Sequence, residues 1–260
     1  MKRITFYFLF CCLSPAVVFG TVTEPVRQLI NEFLSTDWPT VLSAKEKIEN
    51  IGMEGIPDVI AIMNDCRVHE LQNTGDLIFP GAEKYFGHGQ IIDYDIDDVC
   101  VRAGWLLEDL TFRNFGFTGI HLPEYELTDF IRNNFTEYYN NPINHKQIEE
   151  LSTPGKRKLI RTLSIERVKT WWQTASAGWN RLGALEEALK SQDEKCQVKA
   201  LFYLRNGKSS CPGLNETYYK TQLESTVMKL SRVETGRVSE HAKLIMLDSD
   251  FDWLSIKTVK

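Results

Sequence analysis

The pattern of apolar and polar positions is strongest over residues 93–117, which read DYDIDDVCVRAGWLLEDLTFRNFGF. Apolar residues recur there at intervals of three and four, which places them on one face of an α-helix. The members of this stripe are Ile96, Val99, Cys100, Ala103, Leu106, Leu107 and Leu110. Asp95 is the predicted N-cap. Arg113 follows the last turn, where its positive charge interacts favourably with the negative end of the helix dipole. We therefore predict a buried central helix that holds two halves of the chain together.

The same spacing predicts shorter helices on both sides of this central element. They cover residues 23–34, 38–51, 56–63, 124–135, 164–172, 181–205 and 221–233. Residues 67–94 instead contain several Gly and Pro residues and little helical periodicity, yet they are rich in aromatic and aliphatic side chains. Such side chains need burial, so we predict one long ordered loop that lies against the central helix.

The first of these helix pairs has a recognisable pattern. Residues 38–65, WPTVLSAKEKIENIGMEGIPDVIAIMND, resemble a HEAT-type repeat, in which two antiparallel helices are joined by a short turn and the second begins with Pro after Ile. A weaker resemblance occurs at residues 181–205. The resemblance implies a stack of antiparallel helices and, by analogy, a protein-binding surface.

These observations predict an all-α or mainly α fold with HEAT-like stacked antiparallel helices, one long ordered loop and stabilising disulfides. A polar stretch at residues 140–142 marks the best boundary between two halves. We predict an N-terminal helical lobe at 21–142, containing the HEAT-like pair and the central helix, and a C-terminal helical lobe at 143–260.

The first twenty residues are predicted to be a secretory signal peptide. Lys2 and Arg3 precede an apolar run that is too short to span a membrane, and Gly20 supplies a small residue for cleavage. No later stretch is apolar enough to span a membrane. We therefore expect cleavage near Gly20 and a periplasmic or secreted product without a transmembrane segment.

Four cysteines remain after the leader, namely Cys66, Cys100, Cys196 and Cys211. An even number of cysteines in an exported protein predicts two disulfides, and pairs that are close in sequence are favoured. The expected pairs are Cys66 with Cys100 and Cys196 with Cys211. Buried thiols are the alternative that the sequence leaves open.

The charge of the chain restricts its partners. Loss of the leader removes two bases, Lys2 and Arg3, and no acid, so the net charge moves from −5 to −7. This disfavours nucleic acid and suits a protein partner with a basic surface. The DYDIDD run lacks the sixth-position Gly of a calcium loop and has Gly104 in place of its twelfth-position Glu, so we predict no metal and no cofactor.

Candidate site residues cluster around the glycine-rich loop and the central helix. His88 lies between two glycines, and with Glu108 or Asp109 it provides the imidazole and carboxylate that acid–base chemistry needs. As a binding group, we predict that His88, Glu108, Arg102 and Arg113 lie near one another. A separate aromatic pair, Trp171 and Trp172, follows a basic run and is a candidate glycan or ligand platform.

Three functions fit these features. The leading hypothesis is an exported protein-binding module without catalysis, one version of which is an immunity or inhibitor protein for an envelope-acting toxin or enzyme. One alternative is an envelope hydrolase that uses His88 with Glu108 or Asp109. The other is a glycan or ligand binder that uses Trp171 and Trp172. The oligomeric state is left open.

Overall fold

The computed structural model describes residues 24–78, 90–233, 236–247 and 254. The described chain is mainly helical, which confirms the predicted fold class at that level. The helices are α1 (Glu24–Phe33), α2 (Trp38–Ile51), α3 (Ile56–Ile62), α4 (Val99–Thr111), α5 (Glu124–Asn134), α6 (Thr136–Asn140), α7 (Pro142–Glu150), α8 (Thr153–Ala175), α9 (Arg181–Lys190), α10 (Glu194–Asn206), α11 (Glu216–Tyr218), α12 (Glu224–Ser231) and α13 (Arg237–Leu247). The proposed signal peptide and His88 lie outside the described residues.

The central helix α4 lies between two hydrophobic clusters. The first cluster joins α1 to α8, and the second joins α9 to α13. Phe112, which ends α4 in a left-handed conformation, packs in the second cluster, whereas most apolar residues of α4 pack in the first. The predicted lobe boundary at 142 coincides with the start of α7, which Asn141 caps. The first cluster extends beyond that boundary to Val168.

The N-terminus of α4 differs from the prediction. The N-cap is Asp98, whose side chain accepts hydrogen bonds from the backbone N–H groups of Cys100 and Val101, so the prediction of Asp95 was wrong. The reason is tertiary pairing, because Asp98 forms an antiparallel bridge with Val68. This pairing holds Asp98 in an extended conformation, so the helix begins at Val99.

At the first location of the HEAT-like resemblance, the structure contains two helices. α2 and α3 are joined by a 3-10 turn at Gly52–Gly55, and Pro57 lies in the first turn of α3. α2 packs chiefly against α1, while α3 packs chiefly against α4. At the weaker location, α9 and α10 pack against each other after a short turn. HEAT-like stacking itself stays a prediction.

The long connection between α3 and α4 contains a short pair of strands. β1 (Leu77–Ile78) pairs in parallel with β2 (Gln90–Ile91), with Leu77 opposite Gln90. Leu71, Ile92 and Tyr94 are buried in the first cluster. The described ends of this connection therefore contribute to the hydrophobic core.

The predicted disulfides are wrong, because none joins Cys66, Cys100, Cys196 or Cys211, all of which lie in the described ranges. Cys196 lies in the first turn of α10 and Cys211 lies beyond its last turn, so roughly 15 Å of helix separates them. A disulfide needs Cα atoms about 4–7 Å apart. Cys66 is exposed, whereas burial raises the pKa of the Cys100 thiol to about 12, which disfavours the thiolate that disulfide formation requires.

Among the residues that the structure describes, no helix has the length and apolar content needed to cross a membrane.

Candidate functional site

A cavity of about 820 Å³ opens between α2 and α10, with α4 at its base. A volume in this range is typical of sites for small organic ligands. Apolar and aromatic side chains form much of its wall, namely Leu42, Ile92, Trp105, Phe130, Val198, Phe202 and Tyr203. The cavity therefore lies where the central helix meets elements of both hydrophobic clusters.

Charged side chains form a continuous chain beside this cavity. Ordered by contact, with alternating sign, they are Arg181, Glu49, Lys45, Asp109, Lys199 and Glu108. At the centre, the Lys45 Nζ lies 3.1 Å from Asp109 Oδ2 and the Lys199 Nζ lies 3.0 Å from Asp109 Oδ1. We call these six residues the charge network. Its members are far apart in sequence but adjacent in space, so the network connects α9, α2, α4 and α10.

The central members of the charge network hold one another ionised. Burial acts to lower the pKa of Lys45, but Glu49 and Asp109 outweigh it and raise that pKa. Burial likewise opposes the charge of Lys199, whose pKa is raised by Asp109 and Glu108. The two lysines lower the pKa of Asp109 although burial acts to raise it. The base of the cavity is therefore zwitterionic.

Local sequence and aromatic packing fix the two lysines. Lys45 and Glu49 are four residues apart on α2, so their side chains lie on the same helix face and form an ion pair. The Lys45 Nζ also lies 4.6 Å from the centre of the Trp105 ring. The Lys199 Nζ donates a 2.6 Å hydrogen bond to the Tyr94 hydroxyl. These contacts leave little rotational freedom to either ammonium group.

Glu108 closes the turn that follows α4. Its Oε1 accepts hydrogen bonds from the backbone N–H groups of Phe115 at 2.6 Å, Gly116 at 2.9 Å and Phe117 at 3.4 Å. Its Oε2 accepts one from the Tyr94 hydroxyl. Burial, together with the Glu108 charge, raises the Tyr94 pKa well above its ordinary value of 10.0. With 1% of its side chain exposed, Glu108 acts as a structural acceptor.

The opposite end of the charge network, at Arg181, is also held by several contacts. Arg181 donates hydrogen bonds to the Ser209 Oγ at 2.8 Å and to the Ser210 carbonyl at 3.0 Å. The Ser209 hydroxyl in turn donates to Glu49 Oε2 at 2.6 Å. Arg181 also lies over the Tyr203 ring, with 4.4 Å between the guanidinium carbon and the ring centre. This end therefore joins α9 and the loop after α10 to α2.

Arg102, one of the predicted binding residues, is a structural residue at the other end of α4. It is completely buried and donates to four backbone carbonyls, at distances from 2.6 to 3.1 Å. The acceptors belong to Phe33, Ser35, His69 and Ile96. Burial lowers the pKa of Arg102 to about 10, so the group stays charged at neutral pH.

The remaining predicted residues that the structure describes form a separate, half-buried group, in which both tryptophans pack against the first hydrophobic cluster. Arg113 pairs with Glu187 at 2.7 Å and lies over the Trp171 ring, 5.7 Å from its centre. Trp171 and Trp172 contact each other, with ring centres 5.5 Å apart. Arg113, Trp171 and Trp172 do not line the cavity. Of the predicted set, the structure brings Asp109 to the cavity wall and Glu108 to the network behind it.

Sequence reasoning missed Lys45, Glu49, Arg181 and Lys199. One signal was present for Lys45, because it lies within the apolar stripe of α2, between the buried residues Ala44 and Ile48. A lysine on a core-facing stripe needs a buried partner. Glu49, four residues later on α2, was readable as one partner, but Asp109 was not readable from α2 alone.

The arrangement offers fixed hydrogen-bond donors and acceptors at the base of an apolar cavity. Over the described ranges, no group of three or more His, Cys, Asp or Glu side chains is placed to hold a metal ion. Comparisons of the chain with models of protein families, with curated proteins and with solved structures give no match.

Proposed function

We propose that this protein is a non-catalytic binding protein that holds a small organic ligand in the cavity between α2, α4 and α10. The observation that carries the proposal is a cavity of about 820 Å³ with apolar walls and a charged base. Pockets of this kind bury most of a ligand against apolar walls, while a few polar groups set its orientation. The charge network supplies those polar groups in fixed positions.

The hydrolase alternative has less support from the same contacts. A general base must reach the proton that it removes, either directly or through one water. Glu108 is committed to three backbone N–H groups and the Tyr94 hydroxyl, and Asp109 is held ionised between two ammonium groups. Both carboxylates therefore fit positioning and binding roles better than proton transfer.

The test is a titration with the neutral fluorophore N-phenyl-1-naphthylamine, whose emission rises in apolar surroundings. We expect saturable binding to the wild-type protein. Val198 lines the cavity, and the larger indole of Val198→Trp should occupy it and weaken binding by at least about tenfold. Val233 is half exposed, lies just beyond the end of α12 and does not line the cavity. Val233→Trp is therefore the matched control, and it should bind like the wild type.

Two results would count against the proposal. One is the absence of saturable binding to a protein that melts cooperatively. The other is equal loss of affinity in Val198→Trp and Val233→Trp, since that would place the fluorophore outside the cavity.

A protein partner is a second proposal, and the immunity or inhibitor role is one version of it. The packed helix pair α9 and α10 supports it, because paired helices commonly present binding faces, and so does the excess of acidic residues. A toxin or enzyme encoded beside this gene should then co-elute with the protein in gel filtration. Co-elution with a basic partner should weaken as salt rises. Separate elution of the neighbouring gene products at low salt would reject this version.

A further inference from the structure

The geometry points to a neutral, hydroxylated ligand of the sugar class, which donates a hydroxyl hydrogen bond to Asp109 and accepts one from Lys45 or Lys199. This inference rests on the proposed function, since it names the ligand class for the same cavity. It follows from a difference among the polar groups at the base of the cavity. Only some of them are accessible and still have unused hydrogen-bonding capacity.

The three carboxylates of the charge network differ in that capacity. Glu108 has 1% of its side chain exposed and accepts four hydrogen bonds, and Glu49 has 9% exposed and is engaged by Lys45, Arg181 and Ser209. Asp109 keeps 30% of its side chain exposed and is contacted once at each oxygen. A carboxylate has about four lone-pair sites. Of the two network carboxylates that line the cavity, Asp109 is therefore the one with the greater exposure and the more unused acceptor capacity toward a ligand.

The lysines beside Asp109 add donors at the same place. An ammonium group has three N–H donors. Among the described residues, Lys45 uses two of them on Glu49 and Asp109, and Lys199 uses two on Tyr94 and Asp109. The side chains of Lys45 and Lys199 are 10% and 15% exposed. A donor and an acceptor therefore lie side by side at the base of the cavity.

Charge selects among the ligands that could use this pair. A cationic group at Asp109 would lie close to two ammonium groups, and an anionic group at either lysine would lie close to the Asp109 carboxylate. Like charges at such distances repel, and the repulsion is strong away from bulk water. A hydroxyl has no net charge and both donates and accepts. Adjacent hydroxyls of a sugar ring can therefore satisfy Asp109 and a lysine together, while the apolar wall faces the ring.

The experiment is competition against bound N-phenyl-1-naphthylamine in the wild-type protein. The neutral disaccharides are maltose, cellobiose and N,N′-diacetylchitobiose, and the charged counterparts are chitobiose, a cation, and cellobiuronic acid, an anion. We expect at least one neutral disaccharide to displace the fluorophore, and to do so at lower concentration than its charged counterpart.

The variants Asp109→Asn and Asp129→Asn separate ligand contact from the loss of a carboxylate elsewhere in the protein. Both make the same chemical change, but Asp129 is 61% exposed on α5 and does not line the cavity. Asp109→Asn should weaken the neutral sugar by about tenfold or more, whereas Asp129→Asn should change it by less than about twofold. Fluorophore affinity, expressed per folded molecule from circular dichroism, should stay similar in both. If Asp109→Asn does not fold, Asp109→Glu keeps the charge, displaces the carboxylate and should weaken the sugar likewise.

Each other outcome has a defined meaning. Fluorophore binding without displacement by any neutral disaccharide, or with stronger displacement by a charged counterpart, overturns the sugar class and leaves the binding function in place. Equal losses of sugar affinity in Asp109→Asn and Asp129→Asn overturn the role of Asp109. Absence of fluorophore binding in the wild type overturns the proposed function itself.

Discussion

The two ends of α4 carry buried charge in different ways. Near the N-terminus, Arg102 is completely buried, and its donors are used by four backbone carbonyls of the protein itself. Near the C-terminus, Asp109 lies between two lysines and keeps 30% of its side chain exposed to the cavity. One group completes the fold, and the other is still able to interact with a ligand.

This contrast shows that burial of an ionisable residue does not by itself identify a functional site. Burial lowers the pKa of Arg102, and two lysines lower the pKa of the buried Asp109 against the effect of burial, but only Asp109 combines unused acceptor capacity with access from a cavity. Hydrogen-bond accounting separates structural from functional charge more clearly than the shift of a pKa does.

The largest effect on stability should come from replacing Arg102, near the N-terminus of α4. Arg102→Met removes four hydrogen bonds and leaves buried carbonyl groups without a donor, so we expect a loss of about 3–5 kcal/mol in the free energy of unfolding. Urea denaturation followed by circular dichroism measures it. Affinity for N-phenyl-1-naphthylamine, expressed per folded molecule, should not change.

Arg132→Met is the control for this substitution. Arg132 pairs with Asp129 on the surface, where both side chains are at least half exposed, so its loss should cost less than about 1 kcal/mol. Similar costs for the two variants would mean that the four carbonyl contacts of Arg102 do not stabilise the fold as described.

Replacing Glu108 tests whether the difference between a structural charge and an accessible charge also separates Glu108 from its neighbour Asp109. Although it precedes Asp109 in sequence, it is nearly inaccessible and holds the turn after α4. Glu108→Gln replaces a charged acceptor of backbone N–H groups by a neutral one, so we expect a loss of about 2 kcal/mol in the free energy of unfolding. Thermal and urea unfolding measure this cost, and a variant with wild-type stability but lost fluorophore binding would reverse the assignment.

Removing the charge of Asp109 should have a smaller effect on stability, and that effect should depend on pH. Its pKa in the folded protein is lowered below 3.8 by Lys199 and Lys45. Such a group contributes stability that is complete above its unfolded pKa and is lost as the pH falls through the folded pKa. The free energy of unfolding should therefore fall more steeply below about pH 4 in the wild type than in Asp109→Asn.

The control for the pH experiment is Asp129→Asn, because Asp129 is exposed and pairs only with a surface arginine among the described residues. It should retain the acid dependence of the wild type. An Asp109→Asn curve parallel to the wild-type curve at every pH would show that the lysines do not favour the ionised carboxylate.

Much of the helical fold was predictable because it depends on local periodicity. The stripe of α4, the span of α2 and the α5 helix starting at Glu124 follow from spacing alone. The N-cap of α4 was missed because a bridge to Val68, thirty residues earlier, decides where the helix begins. Local patterns cannot report such long-range pairing.

The candidate site was only partly predictable for the same reason. The sequence placed Glu108 and Asp109 in a candidate site, but their partners on α2 and α10 are far away along the chain; Lys199 and Asp109 are 90 residues apart. The sequence also grouped Arg102 and Arg113 with them because all lie near the central helix. Positions along a helix determine which way side chains point, and these two arginines reach different surroundings.

The smallest effect should come from replacing Arg113, which lies just beyond α4 and belongs neither to the contacts of Arg102 nor to the charge network. Its pairing with Glu187 is solvent-exposed, and such pairs contribute less than about 1 kcal/mol. Arg113→Met should therefore leave the free energy of unfolding and fluorophore affinity nearly unchanged. A clear loss of sugar affinity in this variant would favour the half-buried pair Trp171 and Trp172 as the ligand platform, because Arg113 lies over the Trp171 ring. An unchanged affinity would leave the cavity at the C-terminal end of α4 as the better-supported site.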